Sequence, residues 1–142
     1  MNINGKIMDC LLDSSSEVNV MPYATALCPG FRICSDVRDE AMVDIKGAPF
    51  RGYMPDVPVR IGDVEVRLPF FISQSAHQCT LGRPFEAATQ LMRVTKDDGS
   101  VRMAVFDSQG PAHAVFQPYT PGSAADQYEY ETVQHDPRQE ED

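Results

Sequence analysis

One short stretch of this chain has residue types that could do acid–base chemistry. Residues Gly5 to Asp13 read GKIMDCLLD, an apolar run that ends on a carboxylate, and Ser14-Ser15-Ser16 breaks it before Val18, Val20 and Met21 resume. A carboxylate directly after a buried strand costs free energy unless it is hydrogen-bonded or used. Asp13 is therefore either the first residue of a plain turn or a positioned acid–base group, and the segment alone leaves both open. Rival chemistries have weaker support. Serines 14 to 16 with His77 lack the G-x-S-x-G elbow of a serine hydrolase. His77, His113 and His135 lie far apart and show no ligand spacing, so they read as surface side chains. Asp97-Asp98-Gly99 lacks the later ligands and terminal Glu of a calcium loop and reads as a hairpin turn. No metal or cofactor is implied.

The elements that must position Asp13 are mostly strands. Gly5 to Asp13 is apolar on both faces, the pattern of a short strand inside a sheet. Pro22 suits the first turn of a helix over Tyr23 to Cys28, which Pro29-Gly30 ends. A hairpin is predicted from Ala41 to Tyr53 with its tip at Gly47-Ala48, setting Asp44 against Arg51 and Ile45 against Phe50. A second runs from Val57 to Ile72 around Gly62-Asp63, setting Ile61 against Val64, Arg60 against Glu65 and Val59 against Val66. Pro84 opens a helix over Phe85 to Met92, with Phe85, Ala88, Leu91 and Met92 as its apolar stripe. Val94 to Phe106 reads as a third hairpin turning at Asp97-Asp98-Gly99. Asp107 to Gly110 is a turn, and Ala112 to Phe116 a short strand.

Two segments together carry a resemblance. Leu11-Leu12-Asp13-Ser14-Ser15-Ser16-Glu17 is followed, far along the chain, by Phe70-Phe71-Ile72 and then Leu81-Gly82-Arg83-Pro84-Phe85. This order resembles the retropepsins, most closely the aspartic proteases of long-terminal-repeat retrotransposons and their domesticated relatives. In that family a strand ends in Asp-Ser/Thr-Gly, a flap hairpin follows, and an apolar strand leads to Leu-Gly-Arg. The likeness covers Ile3 to Met92. It implies an all-β, closed-barrel fold with one main helix after Leu-Gly-Arg, and a homodimer with one active site on the two-fold axis. Each subunit would supply Asp13, and the two carboxylates would share a proton and activate water toward a peptide bond. Ser14 would brace the paired loops. Lys46, Gly47 and Ala48 would form the flap over an extended polypeptide substrate. Glu17 and Arg83 would form an ion pair tying the loop to the helix. The natural role implied is polyprotein processing.

Ser15 departs from the family pattern, which has glycine there. Invariant glycines mark a positive φ or an approach too close for a Cβ. The alternative reading is therefore a catalytically inactive, protease-like dimerisation or peptide-binding module.

Composition narrows the classes. The chain has 142 residues, 42% hydrophobic and 23% charged, with a formal net charge of −9. Residues 1–120 are expected to form one domain and 121–142 an acidic, disordered tail. The negative charge argues against nucleic acid and anionic membranes as partners. No apolar run approaches the roughly 20 residues of a membrane span, and no signal peptide is evident. Cys10, Cys28, Cys34 and Cys79 form no C-x-x-C pair. They read as reduced thiols of an intracellular, cytoplasmic protein, with a Cys28–Cys34 disulfide as the alternative.

Overall fold

The computed structural model describes residues 1–34, 43–44, 46–118 and 129–131. Of these, 47% lie in strands and 10% in helices, and the architecture includes a curled half-barrel sheet. The all-β expectation holds in that form. The chain divides into two compact units, Met1–Val59 with Arg67–Ala87, and Arg60–Val66 with Ala88–Asp142.

The first unit begins with a hairpin of β1 (Asn2–Ile3) and β2 (Lys6–Ile7), which pair Asn2 with Ile7 and Ile3 with Lys6. Asn4 and Gly5 sit between them at φ 51° and 86°. Both central positions of this two-residue turn need positive φ, which Asn-Gly accepts at low cost. The single buried strand expected over Gly5 to Asp13 is therefore corrected to two. The chain turns at Asn4-Gly5, Ile7 is exposed, and only β3 (Cys10–Leu12) leads into Asp13. Next come β4 (Val20–Pro22) and α1 (Tyr23–Ala26). The helix stops short of the predicted Cys28, where the Leu27 and Cys28 amides bond back to Tyr23 and Thr25.

Long strands β5 (Gly52–Ile61) and β6 (Val64–Ser73) flank Gly62-Asp63, where the second hairpin was expected. An exposed ion pair, Arg67 Nη1 to Asp56 Oδ2 at 3.0 Å, joins them. Strand β7 (Cys79–Leu81) and α2 (Arg83–Thr89) complete this part. The seven strands run in the order β2-β1-β5-β6-β4-β7-β3. Strand β3 is parallel to β7, and β4 is parallel to β6. Fully buried Ile3, Met21, Phe70, Ile72, Leu81 and Phe85 form the core of the unit.

The first hairpin differs from its expected register. Asp44 N–H donates to Ala48 O, and Val43 bridges Pro49, so Asp44 does not face Arg51. Arg51 instead donates its amide to Ile72 O and sets its guanidinium over the Tyr23 ring, 4.7 Å from the centroid. Its side chain also donates to Gln74 Oε1. The predicted partner Ile45 and the arm at Ala41 and Met42 lie outside the described residues.

The second unit holds β8 (Met92–Thr95), β9 (Val101–Phe106), β10 (His113–Gln117) and β11 (Glu129–Glu131) in one antiparallel sheet. Strands β8 and β9 pair Thr95 with Val101 around the predicted turn, where Gly99 takes φ 85°. The helix expected to reach Met92 ends at Thr89. Gln90 adopts φ 50°, a left-handed residue of the kind that closes a helix, and Met92 is already paired in the sheet. Val105, Phe106, Ala114 and Phe116 form the core. His113 is buried rather than on the surface, with Nδ1 on Pro111 O at 3.0 Å and its ring stacked on Phe106. Of the segment read as a disordered tail, Glu129–Glu131 pairs with β10 as a strand. The rest of that tail, with His135, lies outside the described residues.

Candidate active site

Asp13 follows directly on β3, and its position is set by β7. Cys10, Leu11 and Leu12 pair in parallel with Cys79, Thr80 and Leu81, and the Asp13 amide continues the ladder by donating to Leu81 O at 3.0 Å. Parallel pairing brings segments nearly 70 residues apart to the same end of two strands. The chain beyond Asp13 then folds over the end of β7. A turn closes with Ser16 N–H on Asp13 O, and the Ser16 hydroxyl donates to Val18 O at 2.7 Å. Arg83 N–H in turn donates to Ser16 O at 2.9 Å.

Gly82 makes this closeness possible. A Cβ built there would lie 2.5 Å from the carbonyl oxygens of both Ser16 and Val18. Backbone cannot retreat from such a contact at low cost, so glycine is required by space rather than by φ. Asn19 fastens the same junction. It is buried, its Nδ2 donates to Pro69 O, and its Oδ1 accepts the Gly82 amide at 2.9 Å. Sequence reasoning missed this residue, although an Asn inside the apolar run Val18-Asn19-Val20-Met21 signals a buried polar group that needs partners. The Glu17 and Arg83 side chains meet across the junction, Nη2 to Oε1 at 3.1 Å, with both ends largely exposed.

The carboxylate of Asp13 is partly exposed and held by one neighbour. Ser15 donates both its amide, at 3.0 Å, and its hydroxyl, at 2.5 Å, to Asp13 Oδ1. The hydroxyl bond, then the amide bond, hold the Asp13 carboxyl below its ordinary value. Ser15 is not among the residues at positive φ, so its side chain sits there without backbone strain. Whatever it costs the site comes from its atoms and not from its backbone conformation.

Asp13 and Ser15 open into a cleft of about 390 Å3 within the first unit. Leu11, Val18, Val20, Val43 and Phe50 give it apolar walls. Ser14 is exposed and lies outside the cleft lining. Lys46, Gly47 and Ala48 form the tip of the following loop, with Gly47 at φ 82°, and they too lie outside the lining. The loop reaches the cleft through its base, Val43 and Asp44.

Asp44 is a second residue that sequence reasoning did not assign. Its carboxylate is buried, yet Oδ1 accepts the amides of Lys46 and Ala48 and Oδ2 accepts the Ser73 hydroxyl. Burial pushes its carboxyl up, but the donors from Ala48, Ser73, Ser75 and Lys46 outweigh this and hold it below the ordinary value. The Ser73 oxygen also accepts the amides of Ser75 and Ala76. A charged hub thus ties the loop to the end of β6. Among the described residues no cluster of His, Cys, Asp or Glu could hold a metal ion, and no helix is long and apolar enough to cross a membrane.

Comparison with protein-family models and with curated proteins gave no match to this chain.

Proposed function

We propose that this chain is a retropepsin-like aspartic endopeptidase, active as a homodimer on extended polypeptide segments, with polyprotein processing as its role. The carrying observation is Asp13 itself, a carboxylate lining a cleft of mixed apolar and polar walls, its amide anchored on the strand that leads into Leu81-Gly82-Arg83. The other carboxylates lining this cleft are engaged, Asp44 by the Lys46 and Ala48 amides and the Ser73 hydroxyl and Glu17 by Arg83, so a second copy must bring its own Asp13 across a two-fold axis. The ionised member of the pair takes a proton from water while the protonated member hydrogen-bonds the scissile carbonyl. Lys46, Gly47 and Ala48 close over the substrate from the loop anchored by Asp44. The test is cleavage of a peptide library at mildly acidic pH beside sedimentation at micromolar concentration. Asp13→Asn should abolish turnover and leave the dimer intact. Cleavage that survives the change, or a strict monomer, would refute the reading.

One observation favours a second reading. The Ser15 hydroxyl and amide both donate to Asp13 Oδ1 and lower its basicity, which suits an inactive, protease-like module that binds peptides or dimerises. Peptide binding without turnover, unchanged in Asp13→Asn, would select it.

A further inference from the structure

A cluster of sulfur atoms lies in the strand pair that leads into the candidate site. Cys10 and Cys79 are direct partners in the parallel register of β3 and β7. Both are buried, and Cys10 Sγ donates to Met8 O at 3.8 Å. Cys79 Sγ also donates to Met8 Sδ at 3.3 Å. Neighbouring strands run about 4.8 Å apart, which falls inside the roughly 4.4–6.8 Å Cα separation that a disulfide spans. As register partners, their side chains leave the same face of the sheet at adjacent positions, the placement a cross-strand disulfide requires.

We propose that Cys10 and Cys79 are an oxidisable dithiol that closes a disulfide across β3 and β7 on exposure to a hydroperoxide. This inference does not depend on the proteolytic reading.

Access comes from the sheet order. Strand β3 ends the seven-stranded sheet and presents Leu11 to solvent, and edge strands open locally far more often than the fold unfolds. The two thiols titrate as a pair, so either can be the one that attacks and the other the one that resolves. One thiolate attacks a peroxide oxygen of hydrogen peroxide, the O–O bond breaks, and a sulfenic acid and one water form. The other sulfur then attacks the sulfenyl sulfur, the S–O bond breaks, and a second water leaves with the proton of that second thiol. Two thiols are oxidised and one peroxide is reduced.

Cys28 and Cys34 are less buried and would compete for oxidant. The experiment uses the full chain carrying Cys28→Ser and Cys34→Ser, treated with hydrogen peroxide, then with a maleimide in denaturant. The expected result is an intact mass lower by about 2 Da with no maleimide added. Peptide mapping should find a Cys10–Cys79 cross-link that dithiothreitol reverses. Two alkylated thiols after peroxide would overturn the proposal. So would gains of about 32 Da per thiol from sulfinic acids, or cross-links only between chains.

Discussion

Replacing Ser15 separates the two ways in which this side chain can restrain Asp13. Its hydroxyl donates to Asp13 Oδ1 at 2.5 Å, its amide donates at 3.0 Å, and its φ is not positive. Ser15→Gly and Ser15→Ala both remove the hydroxyl and keep the amide, but only glycine removes the Cβ. A charge-assisted hydrogen bond contributes about 1.5–3 kcal/mol when shielded, and solvent at this partly exposed carboxylate reduces that to about 0.2–1 kcal/mol. Freed of that donor, Asp13 becomes more basic. A tenfold rate gain corresponds to about 1.4 kcal/mol of barrier, so loss of the hydroxyl alone gives up to about fivefold, and the expected gain of at least tenfold for Ser15→Gly also draws on removal of the Cβ. Ser15→Ala should give only the hydroxyl part of that gain. The part that only glycine gives measures obstruction by the Cβ. Stability should move the other way. With no left-handed strain to relieve, glycine costs about 0.4–1 kcal/mol through the unfolded chain, beyond the lost hydrogen bond. Peptide turnover beside urea denaturation measures both. Well-folded, dimeric Ser15→Gly and Ser15→Ala proteins as inactive as the parent would refute the reasoning and favour the non-catalytic reading.

Four further outcomes are expected. Gly82→Ala should destabilise by about 3 kcal/mol or fail to fold, because its Cβ would meet two carbonyl oxygens at 2.5 Å; near-parental thermal unfolding would show that the junction can relax. Asn19→Ala should cost about 2–3 kcal/mol in urea, since it strands the Gly82 amide and the Pro69 carbonyl. For the exposed Glu17–Arg83 pair, a double-mutant cycle should give a coupling of only about 0.2–1 kcal/mol, falling in high salt; additive effects at low salt would show that the contact contributes nothing. Asp44 has its folded-state carboxyl held down, so its contribution is present above its unfolded value near 3.8 and lost as pH falls through the lower folded value. Asp44→Asn should therefore flatten the loss of stability below that pH, and a slope equal to the parent's would assign the acid transition elsewhere.

Local features of this protein were legible in the sequence, and of its non-local contacts the Glu17–Arg83 pair was implied by motif order while the others were not. Turn chemistry located Gly62-Asp63 and Asp97-Asp98-Gly99, because the residues that permit a tight turn lie within the turn itself. The same rule applied to Asn4-Gly5 would have found the first hairpin; the apolar run beyond it hid the signal. Motif order brought Asp13 and Leu81-Gly82-Arg83 to notice, and the pairing of Glu17 with Arg83 followed from it. Element ends were set by competition that periodicity does not register. Leu91 and Met92 continue a helical stripe, but Met92 pairs with Ala104, and Gln90 turns left-handed to allow it. Tertiary structure alone decided what depends on register between distant strands. It made Gly82 a steric necessity and Asn19 a buried fastener. It took Asp44 from a presumed cross-strand partner of Arg51 to the anchor of its own loop. It also set Cys10 against Cys79. Each of these rests on a contact across tens of residues, and a one-residue slip in strand pairing would turn the side chains to the opposite face.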